Sequence, residues 1–257
     1  MSDLGRRSGE LAALSTEVGA ARAAWAAARD QLYQWFKDVP RPSRIEGCSH
    51  CVPVDADLPL LTGPVSRLPP EVLAPYAFKA ITTWGDADDL RYFAPRLVEC
   101  VVADAAEFPA AETVLGKLAR ADWLGWAPEQ VDAIHRSLLA WWQLTLAGDG
   151  AGDADTVLCA VAATGTDLTD HLARWSRLST EASTTLLLDL VTTSVEWTPP
   201  PRMRNPFWRH LPQQERQLLQ WLTHGDAAHA VAEAFDRTED DTVLERLAAL
   251  HTWVAPT

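Results

Sequence analysis

At 257 residues the chain is long enough to bury a substantial core in one domain, and 47% apolar against 22% charged residues is a globular balance. A formal net charge of −13 opposes the phosphate field of a nucleic acid and of an anionic bilayer, so neither is expected as a partner, whereas a basic protein is. The start, MSDLGRRSGELAAL, has no apolar core ending at a small-residue cleavage site, and no run approaches ~18 apolar residues, so a cytoplasmic protein without a membrane span is expected.

The spacing predicts a long first helix from about Ser8 to Lys37. Leu11, Leu14, Val18, Ala21, Trp25, Ala28, Leu32 and Trp35 alternate steps of three and four, a strict a/d seam. Packing inside the monomer is the expectation, with Trp25 and Trp35 filling gaps; a homodimer seam is the competing reading. Twelve Trp against three Tyr point the same way, because Trp is costly to expose and suits the seams between helices.

The segment 38–70 carries Pro40, Pro42, Gly47, Pro53, Pro59, Gly63, Pro64, Pro69 and Pro70, too many breakers for a long helix. A loop of that length inside a domain needs a tie. Cys48-Ser49-His50-Cys51 is the candidate. Two thiolates two residues apart can hold one tetrahedral zinc ion, which needs two further ligands, and His50 is the nearest third donor. The same pair could be a redox dithiol, although that chemistry favours a helix N-terminus in a βαβ setting, or two structural thiols. Cys100 and Cys159 fall on apolar helix faces and read as small core residues.

From Leu73 the apolar residues Tyr76, Ala77, Ala80, Ile81 and Trp84 share one helical face, Gly85 offers a helix stop, and Asp86 reads as the N-cap of a second helix with Asp89 three residues on. Leu90, Phe93, Ala94, Leu97 and Val101 form the second face, so the two helices should pair antiparallel. Asp86, Asp88 and Asp89 lack the Gly and distal Glu of a calcium loop. They read as helix-start carboxylates rather than cation ligands, and Arg91 and Arg96 as ion-paired or solvated rather than anion-holding. GCSHCV followed by YAFKAITTWGDADDLRYFAPRLVE resembles a set of uncharacterised bacterial proteins with a Cys-x-x-Cys and a Thr-Trp-Gly-Asp…Phe-x-Pro-Arg-x-x-Glu segment. The resemblance covers Ile45 to Glu99. It implies no activity and assigns no catalytic residue.

Beyond Ala106 the pattern is helical: Phe108–Arg120, Pro128–Ala147, Thr156–Thr164, Asp167–Arg177, a continuous apolar helix over Thr180–Trp197, and three last helices near Pro212–Thr223, Ala227–Arg237 and Asp241–Val254. Between them TPPPRMRNPFWRHL is a connector. Its Arg202, Arg204 and Arg209, interleaved with Phe207 and Trp208, are candidate anion or partner contacts, or a strap whose arginines pair with the protein's own acids. The histidines form no set. There is no phosphate loop, no Gly-x-Ser-x-Gly elbow and no HExxH. The expectation is one all-α domain over 1–257, antiparallel helix pairs in an irregular α-solenoid or a compact orthogonal bundle. An interaction or adaptor protein for a basic partner is the leading function, and a metal-dependent or thiol-based enzyme centred on Cys48–Cys51 the alternative.

Overall fold

The structure, a computed structural model, describes residues 3–150, 152–178 and 180–254, with side chains from residue 16 onward. Among the described residues it is all-α apart from one two-stranded antiparallel ribbon. The helices are α1 (Asp3–Phe36), α2 (Pro70–Lys79), α3 (Ala87–Val102), α4 (Ala111–Arg120), α5 (Pro128–Leu146), α6 (Ala154–Ala163), α7 (Thr169–Trp175), α8 (Glu181–Asp189), α9 (Pro212–Thr223), α10 (Asp226–Arg237) and α11 (Asp241–Val254). Helices pack in pairs, α3 on α4, α9 on α10, α10 on α11 and α8 on α11. None of the described helices is long and apolar enough to cross a membrane.

Contacts group the chain into two compact units, Ala24–Trp141 with Ala163–Gly165, and Met1–Ala23 with Trp142–Ala162 and Thr166–Thr257. In the former, Tyr76 of α2 is fully buried between Trp84, edge-on at 5.5 Å, and Phe93 of α3 at 4.7 Å. In the latter, Trp175 is the centre of an aromatic row. It meets Trp142 edge-on at 5.1 Å and stacks on Trp221 at 5.3 Å. Three buried indoles of this unit satisfy their N–H groups: Trp142 donates to the His171 carbonyl, Trp175 to the Ser183 carbonyl and Trp208 to Asp155 Oδ1.

Two expectations need correction. The α1 seam holds at Ala21, Ala28 and Leu32 but then moves to Phe36, which is buried and packs edge-on against Trp126, leaving Trp35 48% exposed and Trp25 half-buried. A straight helix has 3.6 residues per turn, so a strict 3.5-residue repeat drifts off its face, and after Leu32 the next inward position is four residues on. The side chains of Leu11 and Leu14 lie outside the described residues. The helix expected over Thr180–Trp197 is present as far as Ser194 but is regular α only to Asp189. After α8 the chain makes a π turn at Leu190–Ser194 and leaves as β1 (Val195–Glu196), paired with β2 (Arg202–Met203). The Thr192 and Thr193 hydroxyls donate to the Leu188 and Asp189 carbonyls, offering these β-branched residues a local alternative to the regular ladder.

Trp175→Ala should therefore cost about 3–5 kcal/mol of unfolding free energy, whereas Trp35→Ala should stay within about 1 kcal/mol. Urea unfolding of the two variants checks the contrast, and equal losses would contradict the face reversal at the end of α1.

Candidate functional site

The loop carrying Cys48 and Cys51 is held by backbone geometry. The Cys48 N–H donates to the Thr83 carbonyl at 2.8 Å and the Gly85 N–H to the Glu46 carbonyl at 2.7 Å, so Glu46–Cys48 runs as a short antiparallel partner of Thr83–Gly85. Gly85 has φ +72°, and a Cβ there would stand 2.8 Å from Asp89 Oδ2 and 3.0 Å from Ile45 Cγ2. Only glycine meets both demands. The expected helix through Trp84 consequently stops at Lys79. The Lys79 carbonyl gathers the N–H groups of Thr82, Thr83 and Trp84 and the Thr82 hydroxyl, and the chain reverses. Trp84 is still buried, as its place in the apolar pattern requires, but on a turn.

The rest of the loop is pinned as well. Ile45, Leu60 and Leu68 are buried, and Asp57 accepts the Ile45 N–H. At the far end Arg96 donates to the Leu68 carbonyl and pairs with Glu99 at 2.6 Å, while Glu99 also accepts the Tyr33 hydroxyl. These contacts supply the anchorage that a metal on the cysteines would otherwise give. Asp86 caps α3 through the Asp88 and Asp89 N–H groups, with Asp89 bonded back to the Asp86 N–H. Arg91 is taken up by Gln130 and the Trp126 face. The acids are helix-start carboxylates and both arginines are engaged with the protein itself, as the sequence suggests.

Within this frame Cys48 and Cys51 are both free thiols and exposed. The Cys51 and Val52 N–H groups donate to the Cys48 carbonyl at 2.9 Å, closing a single tight turn whose i to i+3 reach lies within that of a disulfide. The His50 N–H, then the Cys51 thiol and N–H, hydrogen-bond toward Cys48 and hold its thiol below the usual range. Cys51 is pushed the other way, first by donating to Cys48, then by the charge on it and by desolvation, against the opposing pull of the Lys79 ammonium. Lys79 also donates to the Cys51 carbonyl. Two adjacent thiols of one type are thus made unequal.

His50 joins this site through its backbone. Among the described residues no three His, Cys, Asp or Glu side chains are grouped to hold a metal ion, so the set of Cys48, His50 and Cys51 is not assembled as ligands. Arg202, Arg204 and Arg209 are not brought together either. Arg202 pairs with Glu196 at 2.8 Å beside a groove of about 700 Å³ lined by Pro199–Pro201 and Arg216, while Arg204 and Arg209 are exposed outside that lining. Trp208 does strap the connector down, whereas Phe207 stays partly exposed. Cys100 and Cys159 are buried, as expected. His224 and His229, which the five-residue spacing separates, line one cleft of about 660 Å³ with Trp221 and Glu233. Lys79 had no local signal either, since it is 28 residues from the cysteine it contacts.

No protein-family model, curated protein or solved structure matches the chain.

Gly85→Ala is expected to cost about 2 kcal/mol or more, from the left-handed backbone plus the collision. It should also raise amide exchange at Cys48. Gly63→Ala, also at positive φ (+79°) but with open space around it, carries only the backbone part, about 1 kcal/mol, and leaves Cys48 exchange unchanged. Equal exchange in both variants would show that Gly85 does not hold the cysteine loop.

Proposed function

We propose that this protein carries out thiol–disulfide exchange through Cys48 and Cys51. The observation that carries the reading is the turn itself: the Cys51 and Val52 N–H groups close on the Cys48 carbonyl, so one tight turn presents two free, exposed thiols, and its polar groups lower the Cys48 thiol. The nucleophile in such exchange is the thiolate, so the more acidic cysteine, Cys48, leads.

Cys48 as thiolate attacks one sulfur of a substrate disulfide. A Cys48–substrate mixed disulfide forms, the substrate S–S bond breaks, and the departing sulfur leaves as a thiolate that takes a proton from water. Cys51 then gives its proton to solvent and attacks the Cys48 sulfur. The second substrate thiolate leaves, and the Cys48–Cys51 disulfide remains. The substrate gains two electrons and two protons; the dithiol loses them. A protein disulfide is the substrate class the surroundings favour, because Val54 and Leu58 in the same loop and Phe78 beside Lys79 expose large apolar side chains. A basic substrate protein would also complement the net charge of −13. Zinc on the same thiolates would need two ligands that the described groups around the loop do not supply.

Stoichiometric oxidant should close a Cys48–Cys51 disulfide that dithiothreitol reopens, read by mass after alkylation, and Cys48→Ser or Cys51→Ser should abolish it. In the reduced protein, Cys48 alkylation should persist as pH falls below the ordinary thiol range, after Cys51 alkylation has faded, because only the Cys48 thiolate is stabilised. Two thiols with identical, ordinary pH profiles and no intramolecular disulfide would refute the proposal.

A further inference from the structure

The exchange cycle needs its second cysteine to be quiet at first and reactive later, and Lys79 is placed to make that change. We propose that the Lys79 ammonium is the positioning residue of the second step, holding the Cys51 turn by its carbonyl and stabilising the Cys51 thiolate once Cys48 is in a mixed disulfide. This inference rests on the exchange reading.

The placement is rigid at both ends. The Lys79 carbonyl is the hub of the turn that ends α2, taking hydrogen bonds from Thr82, Thr83 and Trp84, and that turn is paired with the Cys48 strand. Its side chain, half-buried, reaches the Cys51 carbonyl. The ammonium therefore stays beside Cys51 whether or not Cys48 has reacted.

The groups that act on Cys51 are Cys48 and Lys79, with the exposed His50 in the same turn. In the dithiol, Cys48 dominates: its sulfur takes the Cys51 proton as a hydrogen bond, and its charge opposes a second negative charge alongside. A Cys48 tied up in a mixed disulfide carries no charge and is no longer a thiolate acceptor. Both Cys48 effects vanish, and the Lys79 attraction remains to offset the desolvation of the Cys51 thiol. Cys51 then ionises more readily at the moment when its attack is needed. The switch requires no movement of the fold, only the covalent change at Cys48.

The test separates the two steps with one equivalent of 4,4′-dithiodipyridine, a neutral disulfide whose thiopyridone leaving group is followed optically in rapid mixing. The first release reports attack by Cys48, the second closure by Cys51. For full-length Lys79→Gln we expect a first release within about twofold of wild type. The second should be slower by about threefold at neutral pH, a modest factor because a weaker thiol acid is also a better nucleophile. The pH midpoint of the second release should move upward, and Lys79→Arg, which keeps the charge, should restore both. A second release with wild-type rate and pH profile in Lys79→Gln would overturn the role of Lys79 while leaving the dithiol intact. Equal slowing of both releases, without rescue by Arg, would reduce Lys79 to a support for the loop and also overturn it. If wild-type protein gives one release and no second, the exchange reading itself fails.

Discussion

The backbone pairing of Glu46–Cys48 with Thr83–Gly85 sets the conditions for everything around the cysteines. It requires α2 to stop, since the Thr83 carbonyl cannot both accept from Cys48 and continue a helix. It requires a left-handed residue where the strand turns into α3, and Gly85 supplies it without a side chain that Asp89 and Ile45 would meet. Asp86 then starts α3, whose Arg96 and Glu99 reach back to the end of the loop at Leu68. A loop of more than thirty residues is thereby fixed at its middle and its far end. Ordering it costs backbone entropy throughout, so buried Ile45, Leu60 and Leu68 matter as much as the hydrogen bonds.

Much of this was written in the sequence, and the failures have physical causes. Helix starts were legible where a chemical cap exists: Asp86 before α3, and Pro128, Pro212 and Asp241 as the first residues of α5, α9 and α11. Burial was legible through periodicity even where secondary structure was not, as at Trp84. Helix ends were less so, because they depend on partners distant in sequence. α2 ends just before the turn whose Thr83 carbonyl is claimed by the strand at Glu46–Cys48, and no window around Lys79 contains that strand. Trp35 was misplaced for a different reason, the accumulated phase error of a heptad on a helix of 3.6 residues per turn.

The site was half legible. Cys-x-x-Cys and the Thr-Trp-Gly-Asp segment stood out in sequence, more than thirty residues apart, with nothing in the spacing to say that they meet. The structure brings them together: Thr83 and Gly85 carry the two hydrogen bonds that hold the Cys48 strand, and Arg96 and Glu99 close the loop behind it. His50 was read as a side-chain donor, whereas its contribution is a backbone N–H, which any residue in that position could make. Lys79 could not be found from spacing.

The acidity of Cys48 also shows which electrostatic scale governs this surface. A net charge of −13 disfavours any new thiolate, but exposed charges are screened over about 8 Å at physiological salt, and hydrogen-bond donors at contact distance are not. The local donors win. Cys100 makes the same point in reverse. It is buried in α3, where desolvation pushes its thiol up to about 11 even though the Arg96 cation pulls the other way. The Glu99 and Glu71 carboxylates add to that desolvation, so a nearby cation does not by itself make Cys100 reactive. Water access and backbone N–H groups set the order of the two cysteines, because a thiolate needs either solvent or donors and the interior around Cys100 offers too little of both.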